Sequence, residues 1–142
     1  FSVVQPFYFK KEYKGRINEL NFIKYLEQKS SSIDWWFKNG DAGKEYYCLK
    51  YFNTGKKEES LFYPDWIIKF KDGRIGIFDT KSGNTAQNPE GSAKGLADKL
   101  KDLNSKGGNY IGGLVVLENN QWYYFNNEKY LLEKDNDADK FK

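Results

Sequence analysis

Two strand-like runs, Phe62 to Phe70 and Arg74 to Thr80, stand on either side of Lys71-Asp72-Gly73, and this short spacing constrains the chain more than any other feature. Runs rich in aromatic and β-branched residues joined by so few turn residues make a tight antiparallel hairpin. If the turn is a type I turn followed by Gly73 in the left-handed region, Phe70 faces Arg74 across the ladder. Counting back along both strands then sets Asp65 opposite Asp79. A two-residue turn would shift the pairing by one and send the two aspartates to opposite faces. Side chains alternate along a strand, so Lys81 projects to the same side as Asp79.

Opposed residues on antiparallel strands have Cβ atoms about 4.5 to 5.5 Å apart, where like charges repel. A cation offsets that repulsion. Carboxylate oxygens are the ligands that a hard ion such as Mg²⁺ prefers, and the ion acidifies bound water and stabilises charge on an attacked phosphate. An ammonium beside the phosphate orients the nucleophile and stabilises the transition state, and a neutral lysine acts as a base only where burial lowers its pKa. Both roles stay open for Lys81 at this point. The alternatives are a turn-forming Pro64-Asp65 ahead of a strand and an exposed cross-strand ion pair between Asp79 and Lys81.

Composition narrows the remaining chemistry. The 142 residues contain no histidine and a single cysteine, Cys48, so neither a Cys/His zinc set, a histidine base nor an internal disulfide is available. An aromatic share of 18% sets the chain apart from disordered segments. The length fits one domain spanning residues 1–142. The net charge of +3 is compatible with a polyanionic partner without identifying one. No apolar run approaches the roughly 20 residues that span a bilayer, so a soluble, cytoplasmic domain without a membrane partner is expected. A first residue of Phe1 rather than Met points to a fragment of a longer chain.

Around the hairpin, Arg16 to Lys29 is read as a helix with Leu20, Phe22, Ile23 and Leu26 on one side, ended by Ser30 to Ser32. After a Trp35-Trp36-Phe37 segment, Lys44 to Phe52 suits a strand and Asn53 to Ser60 a charged connection. Ala93 to Leu103 is read as a second helix despite the cost of about 1 kcal/mol for Gly95 inside it. Tyr110 to Glu118 and Gln121 to Phe125 form two more strands about an Asn119-Asn120 turn. The expected order is helix, three strands, helix, two strands. The run from Asp135 to Asp139 has the look of a calcium loop but carries Lys140 where such a loop needs glycine, and is read as a solvated tail.

Tyr63-Pro64-Asp65, a gap, then Phe78-Asp79-Thr80-Lys81 resembles the signature of the PD-(D/E)XK nuclease superfamily. That superfamily's restriction-endonuclease-like αβββαβ core, a central mixed sheet flanked by helices within an α/β fold, is similar to the order read above. More narrowly, the stretch from Tyr63 through Ser82-Gly83, followed by a lysine-bearing helix, resembles the C-terminal nuclease region of type III restriction enzyme Res subunits. The resemblance implies an endonuclease that hydrolyses DNA with Mg²⁺, or with Mn²⁺ in its place. It also implies a covalently linked helicase/ATPase domain and a methyltransferase (modification) subunit as partners within a restriction system.

By the same resemblance Asp65 and Asp79 hold the metal, the carbonyl of Thr80 is a further ligand, and Lys81 takes part in catalysis. Glu19 matches the acid that many members supply from the first helix. Its position inside the apolar arc of that helix favours a metal or a bound water beside it; the alternatives are an acid at the edge of the core that reaches solvent, or one paired with a lysine. Lys94, on the second helix, matches a residue that reaches the phosphate or the carboxylates in similar proteins, and is equally readable as a solvated lysine. Ser82-Gly83-Asn84-Thr85 is a polar loop beside Lys81 that could meet a DNA backbone. Trp35, Trp36 and Trp66 are better read as core than as bases' stacking partners. The alternative function is a nuclease-fold module that binds or docks without cleaving.

Overall fold

The computed structural model describes residues 17–40, 46–53, 56–81, 92–118, 121–125 and 139–140. Within them, helix α1 (Ile17–Gln28) is followed by β1 (Ile33–Lys38), β2 (Leu49–Asn53), β3 (Glu58–Phe62), β4 (Trp66–Phe70) and β5 (Ile75–Thr80). Helix α2 (Ser92–Ser105) then leads to β6 (Tyr110–Glu118), β7 (Gln121–Phe125) and the short β8 (Asp139–Lys140). The fold is α/β: a mixed sheet in the order β1-β4-β5-β6-β7-β8, antiparallel except for the parallel β5–β6 pair, and a separate antiparallel ribbon of β2 and β3. No helix among the described residues is long and apolar enough to cross a membrane.

The central hairpin forms as the turn chemistry requires. Gly73 has φ +94°, a conformation costly for a residue with a side chain. The Phe70 N–H donates to the Arg74 carbonyl at 3.0 Å, and the Gly73 N–H donates back to the Phe70 carbonyl at 3.0 Å. The ladder then runs from Lys69 opposite Ile75 to Trp66 opposite Phe78. One step beyond that last pair, the same register sets Asp65 against Asp79.

The two helices lie against opposite faces of this sheet. Phe22 and Leu26 of α1 are buried with Trp36, Trp66, Ile68, Phe78, Val115 and Trp122. Leu96 and Leu100 of α2 are buried with Ile77 and with Leu49 and Phe62 of the ribbon. Phe78 and Ile77 belong to different clusters because neighbouring strand residues face opposite ways. Trp36 and Trp66 are thus core residues, 4% and 0% exposed, which removes both as stacking platforms for bases. Leu20, read as part of the apolar arc, is exposed.

Four readings of the middle region are corrected, so that five strands rather than three lie between the helices. The Trp35-Trp36-Phe37 segment is the core of β1, which pairs with β4. A register shift between Ile33 and Trp35 places both Ile33 and Trp36 in the core although they are three positions apart, so the alternation that marks a strand is broken there. The connection read over Asn53 to Ser60 contains the first residues of β3. The strand read over Lys44 to Phe52 starts only at Leu49, and the run from Phe62 to Phe70 is split where Pro64, lacking an N–H, cannot continue a ladder. Gly95 is explained by contact: an added Cβ would overlap the ring of Tyr51, so its absence lets the ribbon pack on α2.

Candidate functional site

The ends of β1, β4 and β5 bring together the side chains that carry charge. The Asn39 N–H donates to the Asp65 carbonyl at 2.8 Å, extending the β1–β4 pairing past Trp66 and fixing the backbone of Asp65. Asp65 Oδ2 accepts two hydrogen bonds from Thr80, one from the backbone N–H at 2.8 Å and one from the hydroxyl at 2.6 Å. Asp65 Oδ1 accepts from Lys38 Nζ at 3.1 Å. Each oxygen of this carboxylate therefore has a donor aimed at it.

Asp79 is 4% exposed, the last of four successive buried residues of β5. Lys81 Nζ lies 2.7 Å from its Oδ2. That oxygen is buried yet accepts no well-directed hydrogen bond among the described residues: the ammonium neutralises it from a poor angle. Such an atom has coordinating capacity to spare.

The two aspartates are driven apart electrostatically. Burial and the neighbouring charge of Asp65 push the Asp79 carboxyl up to about 7, against the opposing pull of Lys81. For Asp65, burial acts upward too, but the Lys38 ammonium and the Thr80 hydrogen bonds outweigh it and hold the carboxyl below the ordinary range. For Lys81, burial acts downward, and the charge of Asp79 more than offsets it, raising the ammonium above its ordinary value. The charge of Asp79 thus favours the ammonium form of Lys81.

Glu19 of α1 and Lys38 of β1 complete the cluster. Lys38 Nζ lies 3.8 Å from Glu19 Oε1, 3.2 Å from the Asn39 carbonyl, and 5.2 Å from the centroid of the Trp66 ring. Glu19 thus has a lysine partner in the apolar arc. Among the described residues no group of three or more acidic or sulfur or imidazole side chains is spaced to hold a metal ion. Asp65 and Asp79 are the acids that the β4–β5 register opposes.

Lys94, by contrast, pairs with Asp98 one turn along α2 at 2.9 Å. The loop Ser82-Gly83-Asn84-Thr85 and residues 135–138 lie outside the described residues, whereas Asp139 and Lys140, read as part of a solvated tail, form β8 and pair with Tyr124 and Tyr123 of β7. Two participants were missed from sequence. Lys38 reaches Asp65 across 27 positions of chain through the β1–β4 pairing. The Thr80 hydroxyl had no assigned role, although a hydroxyl one residue after an acid on a strand end is a short-range signal for such support.

Comparison with family models, curated proteins and solved structures finds no match.

Proposed function

We propose that this chain is a magnesium-dependent nuclease domain of the PD-(D/E)XK type that hydrolyses DNA phosphodiester bonds, the cleavage module of a type III restriction enzyme. The observation that carries the reading is the register that opposes Asp65 to Asp79 beside Lys81. The order α1, β1, β4, β5, α2, β6 supports it, because it follows the αβββαβ core of that superfamily with the acids at the second and third core strands. The pair fits a divalent ion: two adjacent carboxylates, one oxygen of Asp79 without a directed donor, and mutual repulsion that a cation relieves.

Magnesium, or manganese in its place, supplies Lewis acidity and acidifies a bound water. The chain's own residues do the rest. Asp65 and Asp79 hold the ion, with the carbonyl of Thr80 beside them. The Thr80 N–H and hydroxyl fix Asp65 in its ionised form. Lys81, 2.7 Å from Asp79 Oδ2, would orient the attacking oxygen and stabilise charge on the phosphate. DNA as substrate, a helicase/ATPase domain on the same longer chain, a methyltransferase subunit and a cytoplasmic location follow from the sequence resemblance.

Nicking of supercoiled plasmid in Mg²⁺ or Mn²⁺ tests the reading. Asp79→Ala and Lys81→Ala are each expected to slow cleavage by about 10²-fold or more. A wild-type chain that neither cleaves nor binds metal would transfer the fold to a docking role.

A further inference from the structure

Lys38 is the cation in this cluster to which neither the motif nor the resemblance gives a role. Its ammonium is enclosed, with the side chain only 11% exposed, and it meets oxygens from three places: Asp65 Oδ1 at 3.1 Å, the Asn39 carbonyl at 3.2 Å and Glu19 Oε1 at 3.8 Å. Two carboxylates and a backbone carbonyl are the donor set that a hard divalent ion takes. An ammonium has three protons and no acceptor, and here two oxygens accept from it while the Glu19 carboxylate stands at ion-pair distance. The Trp66 ring, 5.2 Å away, closes one further side with a face that favours positive charge.

We propose that Lys38 is a tethered cation occupying the second cation position of the site, so that the domain takes one divalent ion, between Asp65 and Asp79. The inference rests on the nuclease reading above and goes beyond it in fixing the ion count and the part played by Glu19. In two-ion sites the ions stand about 3.5–4 Å apart. Asp65 faces Asp79 in the β4–β5 register and shares Lys38 with Glu19. Lys38 fills the Glu19 side.

Charge points the same way. With all groups ionised, Glu19, Asp65 and Asp79 against Lys38 and Lys81 leave one net negative charge. One divalent ion turns the cluster positive by one, suited to a phosphodiester anion. A second ion would have to enter against both the first and an ammonium whose side chain is only 11% exposed. Glu19 is then a positioning residue that holds Lys38 rather than a metal ligand, which gives its place in the apolar arc of α1 a reason.

Counting Mn²⁺ on the 142-residue chain tests this, by calorimetry and by the paramagnetic signal of the free ion. Wild type is expected to bind one ion. Lys38→Met, which keeps the stem and removes the charge, is expected to bind two, the first about tenfold more tightly; Lys38→Arg is expected to stay at one. Thermal melts report whether each variant folds. Should Lys38→Met not fold, Glu19→Gln decides: first-ion affinity within about twofold of wild type supports the proposal, and a loss of tenfold or more makes Glu19 a ligand and overturns it. Two ions on wild type, or one ion of unchanged affinity on folded Lys38→Met, also overturn it while leaving the nuclease reading intact. No ion on wild type instead removes the nuclease reading itself, and this inference with it.

Discussion

One oxygen of Asp65 receives both the backbone N–H and the hydroxyl of Thr80, at 2.8 and 2.6 Å, so the residue after one acid of the site holds the other acid in place. A carboxylate that accepts such bonds is stabilised in its charged form and restricted in its rotamer.

Thr80→Val removes the hydroxyl and keeps the shape. The lost bond to a charged group is expected to cost about 1–3 kcal/mol of stability. Plasmid nicking should fall by about tenfold as Asp65 loses its orientation, and Thr80→Ser should restore most of both. Wild-type stability and rate in Thr80→Val would remove the hydroxyl from the account.

The pH dependence of the metal-free domain follows from Asp79. Its carboxyl is pushed up to about 7 in the fold, against about 3.9 in an unfolded chain, so the folded state binds this proton more tightly. The stability it confers is complete below pH about 4 and is lost as pH rises through about 7. Asp65, held low, does the reverse: its contribution is present above pH about 4 and is lost only in acid. Between pH 5 and 8 Asp79 governs, and melting temperature is expected to fall across that interval. The total effect is at most about 4 kcal/mol, and it belongs to the pair rather than to either acid alone. Asp79→Asn should flatten the slope; a parallel slope in that variant would place its cause elsewhere.

Gly95 offers a test of the packing between the ribbon and α2. In an unobstructed helix Gly→Ala stabilises by about 1 kcal/mol. Here the added methyl meets the Tyr51 ring, and overpacking is expected to leave Gly95→Ala less stable by about 1–3 kcal/mol. In a Tyr51→Ala background the same change should become neutral or stabilising. Denaturant unfolding of the four combinations measures the coupling, and additive effects would mean that the two do not meet in solution.

The parts of this molecule that were legible beforehand are those whose physics is local. Lys71-Asp72-Gly73 specifies a turn, and the turn specifies which residues face each other as far as Asp65 and Asp79. The helix about Phe22 and Leu26 and that about Leu96 and Leu100 declare themselves by spacing, and their neighbours in the core bear this out. The first strand was hidden because the shift after Ile33 breaks its alternation. The strand starting at Glu58 was hidden because the ribbon's outer face is solvated, with Lys50 and Glu59 paired across it. Lys38 was hidden for a third reason: its meeting with Asp65 and Glu19 is produced by pairing distant segments, and no window of sequence contains all three.

The hairpin that seats Trp66 against Phe78 in the core also seats Asp65 against Asp79 at its open end. Adding or deleting one residue in the loop would have to expose two large aromatic rings before it could separate the acids. The identities of Lys71 and Asp72 can therefore drift with little consequence for chemistry, whereas the number of residues between Phe70 and Arg74 cannot. Selection for a stable core guards the spacing of the two carboxylates even in a lineage where nothing selects for their reactivity.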